Sequence, residues 1–161
     1  MAVDTFLKLG DIKGESQADK HKDEIEVLSW SWGASQQGTF GSGGGGGAGK
    51  VTVSDLVFTK FMDKASPVLF LHCATGKHIP SAQLTLRKAG EEQLEYHKVI
   101  LTDVLISSYQ TGGSGGGDER PVDNVSLNFG KVELEFSPQN EKGTLDAAVK
   151  AGFDLKTSKK T

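Results

Sequence analysis

The sequence has one cysteine, no long apolar run and no basic stripe. Because Cys73 has no partner in the chain, an internal disulfide is excluded and a reducing compartment is expected. No apolar stretch approaches the roughly 18 residues of a membrane span, and the first residues lack the basic start and apolar run of a signal peptide. We therefore expect no membrane insertion, synthesis in the cytoplasm, and any secretion to proceed without a signal peptide.

The net charge is also small. At −3, with no clustered lysines and arginines, the chain lacks the basic surface expected of a nucleic-acid binder. Its 161 residues suit one domain covering 1–161. Glycine is abundant, at 21 residues, but it concentrates in two patches, 38–49 and 112–117. This distribution indicates a folded body with two special loops and argues against general disorder.

One hairpin-like stretch, Val27 to Lys60, organises the chain. Its first arm alternates, with Leu28, Trp30 and Trp32 predicted to face the core and the serines between them predicted to face outward. Its second arm is rich in β-branched and apolar residues. The connection from Gly38 to Lys50 is far longer than a hairpin turn, and such loops are usually functional. Ordering its glycines is costly, so we expect a neighbouring molecule to hold it.

The remaining pattern is mainly β. Apolar positions change from odd to even between Val53 and Leu56, and again between Phe129 and Val132, with Gly130 at the second change. Such phase changes predict β-bulges, which are typical of bent strands in small barrels. Little helical periodicity is present. The predicted fold class is a small β-barrel or two-sheet sandwich with one flanking α-helix.

That helix is predicted at about residues 66–76. Ser66 is the predicted N-cap, Pro67 the first helical residue and Gly76 the residue that ends the helix. Because the helix is apolar nearly all round, it should be covered on more than one side. The strand segment Val99 to Ile106 is also apolar on both faces, which suggests that its outer face meets another subunit.

Several patterns associated with enzymes are present only in part. Gly44-x4-Gly49-Lys50 approximates a phosphate-binding loop, but Val51 replaces the required Ser or Thr and a strand follows. His72, Cys73 and His78 lack the second pair of a tetrahedral metal set. No nucleophile elbow is present, and paired carboxylates fall at turns and solvent faces. We expect no enzymatic activity, cofactor or metal.

The order of segments is similar to that of Hcp, the haemolysin-coregulated tube protein family of bacterial type VI secretion. The blocks that carry this resemblance span nearly the whole chain. They are the opening from Met1 to Ser16, Val27 to Gly33, the run from Phe58 through Ser66-Pro67 to His78, Leu86 to Gly90, Thr111 to Gly113 and Val125 to Phe129.

The resemblance implies a fold like that of phage tail tubes and a structural role. Copies would assemble into a homo-hexameric ring, and rings would stack into a hollow tube. A contractile sheath would drive that tube, tipped by a spike of the VgrG type, out of the cell. Secreted effector proteins would be held in the ring lumen. A monomeric ligand-binding β-barrel is the alternative function.

Three sets of residues are predicted to carry this role. Ser31, and with less support Ser29, would face the lumen and touch effectors. The glycine arm would reach onto the next ring or protomer through Phe40, Gly41, Ser42, Gly43, Gly44, Gly45, Gly46 and Gly47. Stacked rings would join an acidic hairpin tip to a basic end; the tip is Gly90, Glu91 and Glu92, and the basic end contains Lys156, Lys159 and Lys160.

Overall fold

A computed structural model describes residues 2–38, 40–41, 49–90, 92–117 and 119–161. The predicted mainly β fold with one helix is confirmed. The helix, α1, covers Ser66–Thr75. The strands in chain order are β1 (Val3–Leu9), β2 (Ile25–Glu26), β3 (Ser29–Ser31), β4 (Ala34–Ser35), β5 (Thr52–Val53), β6 (Leu56–Phe61), β7 (His78–Lys88), β8 (Glu95–Gly112), β9 (Val122–Phe136), β10 (Val149–Asp154) and β11 (Lys159–Lys160).

Strand β9 is the centre of the antiparallel sheet. Along one edge it pairs with β8 over its whole length. The other edge is shared, because its first half pairs with β6 and its second half with β10. Beyond β8 the sheet continues through β7 and β1 to β2. Strands β4 and β5 form a separate small ribbon.

The segment from Ile25 to Ser31 joins the two ends of this sheet. Its start, β2, pairs with β1, and its end, β3, pairs with β6. Between them the Val27 amide donates to the Thr5 carbonyl at 3.0 Å and the Leu28 amide donates to the Thr59 carbonyl at 2.8 Å. The order β1–β7–β8–β9–β6–β3 therefore follows a barrel-like course around the core.

The crossing from one sheet end to the other changes which residues point inward. Val27 is 9% exposed, whereas Leu28, predicted to be core, is 52% exposed. The alternation fails because the strand is interrupted between Glu26 and Ser29, where the chain leaves β1 for β6. Trp30 and Trp32 are half-buried and pack against the core, as predicted.

In β9 the inward-facing positions change from odd to even numbers, as predicted, but they do not do so through a β-bulge. Val125, Leu127 and Phe129 are buried, and so is Val132 after the change. Thr102 pairs with Lys131 and Val104 with Phe129, so Gly130 lies opposite Asp103 and neither strand gains a residue. Asp103 has a positive φ of 55°. The inward-facing positions therefore change at the same point in β8 and in β9. The prediction of a bulge in β9 is wrong at this point.

The earlier phase change is a break in the strand. The residues Ser54 and Asp55 separate β5 from β6, and the Ser54 amide donates to the Gly33 carbonyl at 2.8 Å. Leu56 and Phe58 are then fully buried. An interruption of the strand between β5 and β6, and not the predicted bulge, allows both strands to turn apolar side chains toward the core.

The same phase change explains why β8 is apolar at consecutive positions. Val99 and Leu101 point inward before Asp103, and Val104 and Ile106 point inward after it. Of the apolar residues in this segment, only Ile100 and Leu105 lie on the outer face, and both are half-buried. The apolar sequence thus reflects one buried face, so it is weaker support for a subunit contact than the sequence suggested.

Helix α1 differs from its prediction at its start and on its surface. Ala65 is the N-cap, and the Ser66 hydroxyl points inward to Asp123 instead of capping the helix. Gly76 ends the helix with a φ of 66°, as predicted. Leu69 is buried against the barrel, but Phe70 and Leu71 are more than half exposed. Within one chain the helix is covered on one side only.

The segment between β1 and β2 is attached to the barrel by a buried histidine. His21 is 5% exposed and stacks on Phe6 with ring centroids 4.5 Å apart. Its Nδ1 lies 3.0 Å from Glu24 and its Nε2 lies 2.6 Å from Glu95 on β8. Burial would raise the pKa of Glu95, but the hydrogen bond with His21 and the neighbouring charges lower it below its usual range.

Candidate functional site

The outer face of four neighbouring strands carries small uncharged side chains. These strands are β3, β6, β9 and the second half of β8, in that order. One row across them runs Ser29, Thr59, Asn124 and Gln110. The Ser29 and Thr59 hydroxyls are hydrogen-bonded at 2.5 Å, which places them on the same side of the sheet.

A second row lies beside the first. It runs Ser31, Val57, Ser126 and Ser108. Ser108 donates to the Ser126 hydroxyl at 2.8 Å, and Ser31 is exposed. The eight residues of the two rows, here called the polar face, include no charged side chain. Such a surface offers hydroxyl and amide groups to water or to a protein. Beside it lies one carboxylate, Asp55, which accepts from Ser107 at 2.6 Å and from Asn128 at 2.9 Å.

The polar face is bounded on each side by a strand edge, β3 on one side and the second half of β8 on the other. Neither edge is paired with another strand in the part of the chain that the structure describes. Strand β3 pairs only with β6. The pairing of β7 with β8 stops at His78 and Leu105, so β8 beyond Leu105 is paired on one side only. Unpaired edges present a row of free backbone donors and acceptors to which another chain can add.

Beneath the polar face lies a buried charged network. Lys60 and Asp123 are both fully buried, and the Lys60 Nζ lies 2.9 Å from Asp123 Oδ2. Lys60 also donates to Asp63 at 2.7 Å and to the Ser66 hydroxyl at 3.0 Å. Tyr109 donates to the other oxygen of Asp123 at 3.2 Å. The network ties β6, β8 and β9 to the start of α1.

The network shifts the pKa values of two of its members. Burial would raise the pKa of Asp123, but hydrogen bonds from Ser66 and Lys60 outweigh burial and lower its pKa below the usual range. Burial, together with the nearby Asp123 charge, raises the pKa of Tyr109. Asp123 is therefore ionised and Tyr109 protonated near neutral pH. Sequence reasoning missed this network, although Lys60 occupies an inward position in the alternation Leu56, Phe58, Lys60.

The glycine arm is described only at its ends. Phe40 is 91% exposed, and Gly41 has no other group within 4 Å of where a Cβ would stand. The predicted contact residues Ser42, Gly43, Gly44, Gly45, Gly46 and Gly47 lie outside the described residues. The role assigned to the arm stays a prediction, and Phe40 is the one large apolar side chain of the arm that the structure describes.

The hairpin tip and the basic end lie apart on the protomer. Gly90 and Glu92 are exposed on the turn between β7 and β8, and Glu91 is outside the described residues. Lys156 donates to Asp103 at 2.6 Å, and this pairing raises its pKa. Lys159 and Lys160 are exposed on β11. Lys156 thus has an ion-pair partner in its own chain, so Lys159 and Lys160 are the better candidates for contact with another copy.

The described residues show neither a metal-binding cluster nor a membrane-spanning helix. They contain no cluster of three or more His, Cys, Asp or Glu side chains arranged to hold a metal ion. His72 is buried, and its Nδ1 lies 2.9 Å from the Val68 carbonyl. Among the helices described, none has the length and apolar character of a membrane span.

The chain thus forms a barrel-like antiparallel sheet with one helix and carries two rows of uncharged side chains on the outer face of that sheet. Residues 6–136 match the family model described as type VI secretion system effector, Hcp. The chain belongs to this family and is a type VI secretion protein.

Related proteins support this family assignment over nearly the full length of the chain. The chain is 54% identical to protein hcp1 of Pseudomonas aeruginosa over 158 residues, which is 97% of each chain. The crystal structure of Hcp1 from Salmonella typhimurium matches with a TM-score of 0.84 and 43% identity over 100% of both chains. A structure described as a type six secretion system protein matches with a TM-score of 0.94 and 36% identity, over 99% of this chain and 100% of the other.

Proposed function

We propose that six copies of this chain close into a ring, that rings stack into a hollow tube, and that the polar face lines the lumen. The ring would carry secreted effector proteins there. A contractile sheath and a VgrG-type spike would act with the tube during secretion, which would proceed without a signal peptide. The role is structural, so it requires no catalytic residue.

The observation that carries the proposal is the polar face with an unpaired strand edge on each side. In a cyclic ring every protomer uses two different surfaces, one for each neighbour. Strand β3 and the second half of β8 are two such surfaces on opposite sides of one sheet. If β3 of one copy lies beside β8 of the next, six polar faces join into a continuous inner wall that carries Ser29 and Ser31.

The test is the mass and shape of the purified protein. Light scattering on a sizing column should give about 103 kDa, six times the 17.1 kDa of one chain, and negative-stain images should show rings. A monomer at high protein concentration would contradict the proposal and favour the alternative, a monomeric ligand-binding barrel. Rings of six copies without a central hole would contradict only the proposal that the polar face lines a lumen.

Stacking of rings is proposed to join the hairpin tip to the basic end. Glu95, next to the tip, and Asp103, to which Lys156 bonds, are eight residues apart on β8, roughly 26 Å at 3.3 Å per residue. The acidic and basic groups are therefore well separated on one protomer, as head-to-tail stacking requires.

Tube length is expected to fall as the salt concentration rises, because salt screens exposed ion pairs. Each such pair contributes only about 0–1 kcal/mol, so stacking would depend on the sum of the pairs around the ring. Negative-stain length distributions at low and molar salt measure this. Glu92→Lys should shorten tubes, and adding Lys159→Glu to it should restore them. Stacking that is unchanged in molar salt would reject this pairing.

A further inference from the structure

A groove of about 490 Å³ opens on the surface beside the start of β1. Its lining contains polar and charged residues together with the apolar side chains of Val3, Leu28 and Phe61, here called its floor. Val3 is 45% exposed and Leu28 is 52% exposed, so much of this floor faces water in the isolated chain. We call this feature the N-terminal groove. It accounts for the exposure of Leu28, which the sequence pattern placed in the core.

The side chain that matches this groove is on the same polypeptide. Phe40 is more exposed than any other large apolar side chain that the structure describes, at 91%. It stands between Gly38 and Gly41, where a Cβ would meet no other group within 4 Å. Both the aromatic ring and the groove are uncovered in one chain, and burying each against the other would remove apolar surface from water.

Charge also favours this pairing. Lys50 is the only charged residue between Gln36 and Lys50, so the arm is basic. Around the groove lie four carboxylates, Asp4, Glu15, Glu26 and Asp63, and one cation, Arg120, so its rim is acidic. The arm and the rim are therefore electrostatically complementary, which favours the register in which Lys50 lies near these carboxylates.

Arg120 supplies a specific position for the ring. Its guanidinium lies over Phe61, with Cζ 4.3 Å from the ring centroid, and the residue is exposed. A guanidinium can stack an aromatic ring on each of its two planar faces. A phenylalanine entering the groove would complete such a stack above Leu28.

We propose that Phe40 of one copy inserts into the N-terminal groove of another copy, between Leu28 and Arg120. This inference rests on the proposed function and names the surface on which the glycine arm docks. The occupant is a second copy because, in the single chain, the ring and the groove are exposed together.

The test places a photo-crosslinker of aromatic shape at position 40, as Phe40→p-benzoylphenylalanine. Irradiated rings should give a covalent dimer on a denaturing gel, with the adduct mapped by mass spectrometry to Val3, Leu28, Phe61 or Arg120. The same replacement of Phe70, which is 57% exposed on α1, is the matched control and should not label the groove. Leu28→Asp should reduce the dimer yield about tenfold or more.

The mass of each irradiated sample separates this inference from the proposed function. Rings whose adduct maps to another surface, lies within one chain or is absent overturn the groove contact and leave the ring intact. A monomeric wild-type sample overturns both. Because Leu28 is half exposed, aspartate there does not enter the core, and an unchanged circular dichroism spectrum checks that the variant is folded.

Discussion

Asp123→Asn is expected to lower the free energy of unfolding by about 3 kcal/mol, the lower end of the range for a broken buried ion pair, because it removes one of the two carboxylates that pair with a fully buried ammonium. Lys60 and Asp123 are both fully buried, and Asp123 accepts hydrogen bonds from Ser66 and Tyr109 as well. Asparagine keeps the shape but not the charge. Asp63 would remain at 2.7 Å from Lys60, so the variant should fold with reduced stability. Urea unfolding followed by circular dichroism measures the change.

The matched control is Asp103→Asn, which removes one charge from an exposed pair with Lys156. Both partners of that pair are more than half exposed, and asparagine tolerates the positive φ of position 103. This variant should unfold at the wild-type urea concentration. Equal losses in the two variants would contradict a special role for the buried network. A second variant, Lys60→Met with Asp123→Leu and Asp63→Asn, should recover most of the lost stability, because it removes all three charges of the network together.

The network also fixes the direction of the pH dependence. The folded-state pKa of Asp123 lies below its usual value, so its contribution to stability is complete above an unfolded-state pKa of about 3.9. That contribution is lost as the pH falls through the lower, folded-state value. Glu95 acts in the same direction. Wild-type stability should therefore fall below about pH 4, and the fall should be smaller in Asp123→Asn.

Most of the fold could be predicted because alternation and turn residues act locally. The hairpin of β7 and β8 and the end of α1 at Gly76 follow from neighbouring residues alone. Leu28 could not be placed in this way, since its exposure depends on the chain crossing from β1 to β6. Such a crossing is set by tertiary pairing, which outweighs local preference.

The candidate site was only partly predictable for the same reason. Ser29 and Ser31 could be assigned to an outward face from their alternation with the tryptophans. Their neighbours Thr59 and Asn124 could not, because the register of β6 and β9 with β3 joins residues far apart in sequence. The polar character of the whole face therefore emerges only when the strands are aligned.

That alignment sharpens the prediction for Ser31→Gln, which should weaken effector binding about tenfold or more. Ser31 lies in the row with Val57, Ser126 and Ser108, whose side chains are all small. A glutamine would stand above this flat row and recur six times around the lumen. Overfilling a close-packed contact costs about 1–3 kcal/mol, and 1.4 kcal/mol corresponds to a tenfold change in affinity.

The measurement is the amount of an effector that co-purifies with the ring from the producing bacterium, together with the effector's lifetime in those cells. Ser81→Gln is the matched control, since Ser81 is an exposed serine on β7, outside the polar face. Both variants should form rings of wild-type mass, because both sites are exposed and neither change alters a buried side chain. If Ser31→Gln rings bind and protect the effector as well as Ser81→Gln rings do, Ser31 does not face the cargo. The polar face would then have to be placed on another side of the ring.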